Sequence, residues 1–145
     1  MNQKLNNEIQ ILVNKYKYGD FNDVLNKCSS LVKKYPKNDF LWNLTGLSFQ
    51  RIGNQEKAVI SFKNAINHNS KNYSAKNNLG ISYKIMRRYS DAEKIFSELL
   101  LDNPNYVNAI VNLANLKKDT YFLDEATLYY KKALEIDENL PELHL

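Results

Sequence analysis

Thiol and imidazole chemistry have little material here: one cysteine, Cys28, and two histidines, His68 and His144, in 145 residues. A lone cysteine cannot close an internal disulfide, so no disulfide framework staples the fold. Neither histidine stands at metal-ligand spacing with a cysteine, and both read as solvated loop or helix-end residues. The four glycines occur singly, which excludes a phosphate-cradling glycine loop. With only three prolines, the chain also lacks the punctuation of a many-stranded fold or a disordered one. No apolar run approaches the roughly 20 residues needed to span a bilayer, and Met1–Gln10 is polar, without a signal-peptide core. These absences lead to the expectation of a cytoplasmic chain with no membrane partner. The net charge of +4 is mild and evenly spread along the sequence, with no long Lys/Arg run, so nucleic acid is not an expected partner. Asparagine is abundant and lysine outnumbers arginine, a bias that fits an AT-rich gene.

What the chain does have is a period. Ala58, Ala92 and Ala126 recur at steps of 34; so do Gly46 and Gly80, and so do Cys28, Phe62, Phe96 and Tyr130. A period of that size marks stacked supersecondary units that bury their apolar faces only against neighbours. The register divides the chain into units 5–38, 39–72, 73–106 and 107–140, each holding two helical patterns. In the third unit the first helix is expected over Tyr73–Arg87, with Leu79, Ile81, Tyr83 and Met86 as its apolar face, and the second over Ser90–Leu101. Ser90 is expected as the N-cap of that second helix, with Glu93 completing a capping box. Asn103-Pro104 and Tyr35-Pro36 are expected to end helices, because proline disfavours the helical conformation of the residue before it. Gly46 and Gly80 imply close helix approach, with Ala58, Ala92 and Ala126 as the expected small contacts and the rings at Phe62, Phe96 and Tyr130 filling the gap to the next unit. Residues 141–145, Pro-Glu-Leu-His-Leu, read as the first turn of a further or capping helix.

These residues resemble the tetratricopeptide repeat. Trp42, Gly46, Phe49, Ala58, Phe62 and Ala65 carry the motif in the second unit; Leu79, Gly80, Tyr83, Ala92, Phe96 and Pro104 in the third; Leu113, Ala114, Ala126, Tyr130 and Ala133 in the fourth. The first unit fits loosely through Leu12, Phe21, Val24, Cys28, Leu31 and Pro36. The resemblance implies an all-α solenoid over 1–145, a right-handed superhelix of antiparallel helix pairs whose first helices line a concave groove. It implies a non-catalytic module that binds a protein or peptide, with no cofactor and no metal.

The groove residues follow from that resemblance. Asn78 and Asn112 share one position of the first helix, Asn43 and Asn77 the position before it, and Asn115 lies one turn on from Asn112. An amide offers donors and an acceptor, so a row of them suits an extended peptide backbone. An asparagine ladder of this kind lines the repeats of O-linked N-acetylglucosamine transferase. Leu44 interrupts the row in the second unit, and Gln10 stands at the position in the first. Lys17, Arg51, Lys84 and Lys118, near the ends of successive first helices, form a candidate basic strip, and Tyr16, Phe40, Leu47 and Ile81 are candidate apolar lining. The carboxylate clamp of heat-shock-binding repeats is not formed, since Ile9 and Val13 stand at its first-unit positions. Cys28 is expected to be a buried, inert thiol. Two alternatives accompany the peptide-binding reading: the N-terminal repeat region of a larger bacterial glycosyltransferase or sulfotransferase, and a scaffold that self-assembles through an uncapped C-terminal face.

Overall fold

The computed structural model describes residues 2–140, which form eight helices and no strand. They run α1 Gln3–Lys17, α2 Phe21–Lys34, α3 Asp39–Arg51, α4 Gln55–His68, α5 Tyr73–Ile85, α6 Tyr89–Asp102, α7 Val107–Asp119 and α8 Leu123–Ile136. The expected helix start at Pro141 lies outside the described residues.

Each helix packs on the next in sequence, and the first helices of neighbouring units also pack on one another: α1 on α3, α3 on α5 and α5 on α7. The second helices meet one another at most weakly. A stack that is tight along one side and open along the other curves towards the tight side, so the first helices form the inner face and α2, α4, α6 and α8 the outer one.

Asparagine earns part of its abundance at helix starts. The side chains of Asn2, Asn38, Asn54 and Asn72 accept backbone N–H groups at the starts of α1, α3, α4 and α5, satisfying donors that have no partner within the helix. The capping expected of Ser90 is not found. The helix α6 begins one residue earlier, after Arg88, which makes no side-chain cap. Glu93 is drawn instead to Lys117, whose ammonium lies 2.7 Å from Glu93 and 3.0 Å from Glu125, tying α7 to the second helices of two units. The proline stops behave as expected: α2 ends at Lys34 and α6 at Asp102.

The ring of Phe62 lies against Gly46 and that of Phe96 against Gly80, so the atoms nearest each glycine's open side belong to the aromatic of the same unit. A Cβ on either glycine would stand 2.4 Å from a ring carbon. The first unit inverts the pair. Leu12 stands at the glycine position and Cys28 at the aromatic one, and both are buried in one cluster with Val24 and Leu44. In the fourth unit Ala114 leaves less room, and Tyr130 is only half-buried, with its hydroxyl donating to Asn115. Burial raises the Cys28 thiol above its ordinary pKa, as expected of an inert core cysteine.

The turn inside each unit places one residue in the left-handed region at the same repeat position: Gly19, Gly53, Arg87 and Tyr121, with φ of 87°, 86°, 60° and 67°. Only the first two are free of the Cβ penalty there.

Candidate functional site

The first helices set their polar side chains in pairs across unit boundaries. Asn78 Nδ2 donates to Asn43 Oδ1 at 3.0 Å, and Asn112 Nδ2 donates to Asn77 Oδ1 at 2.9 Å. Asn43 in turn donates to Ser74 Oγ at 3.2 Å. Asn43 and Asn77 are each only 7% exposed, whereas Asn78 and Asn112 are half-buried. Two amides are thus sunk between helices, and two stand above them on the inner face. One N–H of each upper amide is committed to the unit before it. The remaining N–H and the Oδ1 acceptor have no such tie, so the face offers acceptors held in a fixed direction.

Next to this row, Gln50 Nε2 donates to the Asn78 carbonyl oxygen at 3.2 Å and to Ser82 Oγ at 2.9 Å, and Ser82 donates to Gln55 Oε1 at 3.0 Å. These bonds join α3, α4 and α5 and fix the backbone that carries Asn78. Asn115 does not join the row, because it accepts from Tyr130 and so faces α8. Leu44 turns into the core against Leu12 and Cys28, and Gln10 donates to Asn14 along α1 at 3.3 Å.

The four basic residues do not form a uniform strip. The Arg51 guanidinium lies over the rings of Phe21 and Tyr16, with its carbon 5.0 Å and 5.9 Å from their centroids. Lys84 is 3.2 Å from the Asp119 carboxylate. Lys17 and Lys118 are exposed at the two ends. In the central part of the face Lys84 is matched by a carboxylate, whereas Arg51 keeps its positive charge against the two rings, and both cations hold neighbouring units together. Its open apolar groups are Phe40 and Ile85, 47% and 53% exposed. Ile81, Ile85, Tyr89, Asn112 and Lys84 line a cavity of about 270 Å³ between α5 and α7.

Sequence reasoning missed Ser74, Gln50, Ser82 and Asp119. The signal that finds some of them is a second spacing. Asn43–Asn78, Asn77–Asn112, Lys84–Asp119 and Tyr16–Arg51 are each separated by 35 residues, one more than the repeat. Residues 34 apart are equivalent, whereas residues 35 apart are neighbours across the boundary. No helix among the described residues is long and apolar enough to cross a membrane.

Residues 107–140 match the family model of the tetratricopeptide repeat. Protein O-mannosyl-transferase Tmtc3 of Drosophila melanogaster is 25% identical over an alignment covering 75% of this chain and 13% of that protein. The chain therefore spans only a small fraction of that relative's length. Among solved structures, PilF of Pseudomonas aeruginosa superposes with a TM-score of 0.86 at 20% identity, covering 94% of this chain and 63% of the other. A thermophilic TPR protein of Thermus thermophilus superposes with a TM-score of 0.81 at 22% identity, covering 92% and 74%. These likenesses establish the fold.

Proposed function

Because the chain is a solenoid of tetratricopeptide repeats, we propose that it is a non-catalytic interaction module that holds an extended segment of a partner protein along the inner face of its first helices. The observation that carries this reading is the pair of half-buried amides, Asn78 and Asn112, each anchored by the asparagine of the preceding unit. Their Oδ1 atoms would accept backbone N–H groups whatever the peptide's side chains. Packed helices lie about 8–10 Å apart, and an extended chain rises about 3.3 Å per residue, so consecutive acceptors meet N–H groups about three residues apart. Phe40 and Ile85 supply apolar contacts beside them. Lys84 is matched by Asp119 and the open side chains beside the amides, Phe40 and Ile85, are apolar, which favours an aliphatic segment.

The test is selection from an immobilised library of short unstructured peptides, followed by the double variant Phe40→Ser with Ile85→Ser. Both side chains are substantially exposed, so the variant keeps its fold. Retention of aliphatic peptides by the parent and their loss by the variant supports the groove. Retention unchanged by the variant argues against it.

A second reading has one observation behind it: a chain similar to 13% of a longer transferase fits a substrate-holding segment of a larger enzyme. Reading the gene on both sides of these codons decides it. A continuous frame into a transferase domain supports this reading, and flanking stop codons oppose it.

A further inference from the structure

The first unit is put together differently from the other three. In those the two helices of a unit pack closely, whereas α1 packs far more loosely on α2. A cleft of about 480 Å³ lies between them, with Ile11 and Leu12 on one side and Asn26, Ser30 and Leu31 on the other. Ile11 is 52% exposed. Over its 15 residues α1 buries only Leu5 and Leu12. The helix α2 is held from its other side: Val24 and Cys28 pack with Leu44 of α3, and Val32 packs with Leu41.

The polar and aromatic ties of α1 gather at its C-terminal end. Lys15 pairs with Asp23. The ring of Tyr16 meets that of Phe21 edge-on, with centroids 5.3 Å apart, and the Arg51 guanidinium lies over both. These ties flank the turn at Gly19, whose φ is 87° and where a Cβ would meet nothing within 4 Å. The far end of α1 has an exposed hydrogen bond, Asn2 Nδ2 donating to Tyr35 Oη at 3.3 Å. A helix fastened beside a glycine in open space, and thinly packed along the rest of its length, is the kind of element that opens locally.

We propose that α1 is a hinged lid, which swings out as one helix about Gly19 while α2 to α8 stay folded. The opening divides a unit between its own two helices, where the repeat pattern would keep the pair together. The lid covers Cys28. It supplies Leu12, Val13 and Tyr16 to the cluster in which that thiol is fully buried. Opening uncovers Cys28 and Leu44 and moves the start of the inner face from α1 to α3. Asn78 and Asn112 lie beyond the moving part, so the lid is independent of the peptide-holding role.

Cys28 is the chain's only cysteine, so a thiol label reads the lid directly. The experiment is alkylation of the full chain by excess iodoacetamide in native buffer, alongside amide hydrogen exchange resolved by helix. The expected labelling rate exceeds, at least tenfold, the rate that global unfolding measured in urea allows. The amides of α1 exchange together and faster than those of α2. They also exchange faster than those of α8, which packs closely on α7, and this separates a lid from fraying at both ends. Arg51→Ala, at an exposed side chain beside the turn, raises the labelling rate at least threefold and leaves exchange in α5 to α7 unchanged. Labelling no faster than global unfolding allows overturns the proposal. So does joint exchange of α1 with α2, exchange of α8 as fast as α1, or a labelling rate indifferent to Arg51→Ala.

Discussion

The ring of Phe62 occupies the space in which a side chain on Gly46 would begin: a Cβ there would lie 2.4 Å from the ring. The glycine's backbone cost in mid-helix is offset by the burial of an entire aromatic ring against it. Phe96 and Gly80 repeat the relation one unit later. Gly80→Ala is therefore expected to destabilise the protein by about 1–3 kcal/mol through overpacking. Replacing the pair with that of the first unit, Gly80→Leu with Phe96→Cys, is expected to cost less than the sum of its two single changes. Urea unfolding of the parent, Gly80→Ala, the two single variants of the swap and their double variant measures both. Additive losses would show that the two positions do not share one space.

Arg87 and Tyr121 hold left-handed backbone where the first two units use glycine. That conformation costs a non-glycine residue about 1–2 kcal/mol, while glycine costs about 0.5–1 kcal/mol more in unfolded-chain entropy. The balance favours glycine. Tyr121→Gly, at a side chain 87% exposed, is expected to raise stability by up to about 1 kcal/mol. Thermal unfolding checks it, and a lowered midpoint would mean that the tyrosine makes a contact that outweighs its strain.

Asn78→Ala removes the donor that serves Asn43 Oδ1, an atom of a residue 7% exposed. A buried acceptor left without its donor costs about 1–3 kcal/mol. The loss is expected to shrink in the background of Asn43→Ala, where nothing is left to satisfy. A double-mutant cycle by chemical denaturation measures the coupling, and a coupling of zero would remove the pair from the account. Alanine at Asn78 therefore probes stability and binding together, which is why Phe40 and Ile85 are the cleaner binding probes.

The carboxylate of Asp102 receives Lys71 Nζ at 2.8 Å and Tyr73 Oη at 2.8 Å. These hydrogen bonds, Lys71 first, hold its pKa below the ordinary 3.8. A carboxylate depressed in the folded state stabilises the fold above its unfolded pKa, and that contribution is lost as pH falls through the folded value. Asp102→Asn is expected to remove this share of the acid dependence. The parent and variant should differ most at neutral pH and converge below the ordinary carboxylate range. Denaturation midpoints taken across that range read it, and a gap that persists unchanged in acid would contradict it.

The repeat and the helix pairs were legible in the sequence because Gly46, Gly80, Phe62 and Phe96 impose a period that no single globular domain shows. The paired roles of Leu12 and Cys28 were not legible, since a swap of large for small within one unit erases the motif while conserving its volume. The asparagine row was found at the right positions, but its anchoring was hidden. Residues one repeat apart announce equivalence, whereas Asn43 and Asn78 meet because neighbouring first helices are offset by one further residue. Ser90 was misassigned because Arg88 and Tyr89 close the turn earlier than the hydroxyl signal implies.

The most direct test of the central claim is an amide spectrum of the isotopically labelled protein, titrated with an aliphatic peptide selected from the library. The account predicts that the side-chain NH₂ signals of Asn78 and Asn112 shift together with the backbone signals of Phe40 and Ile85, while Asn115 and the outer helices stay in place. Shifts confined to the outer helices, or to the chain ends, would contradict a peptide-holding inner face.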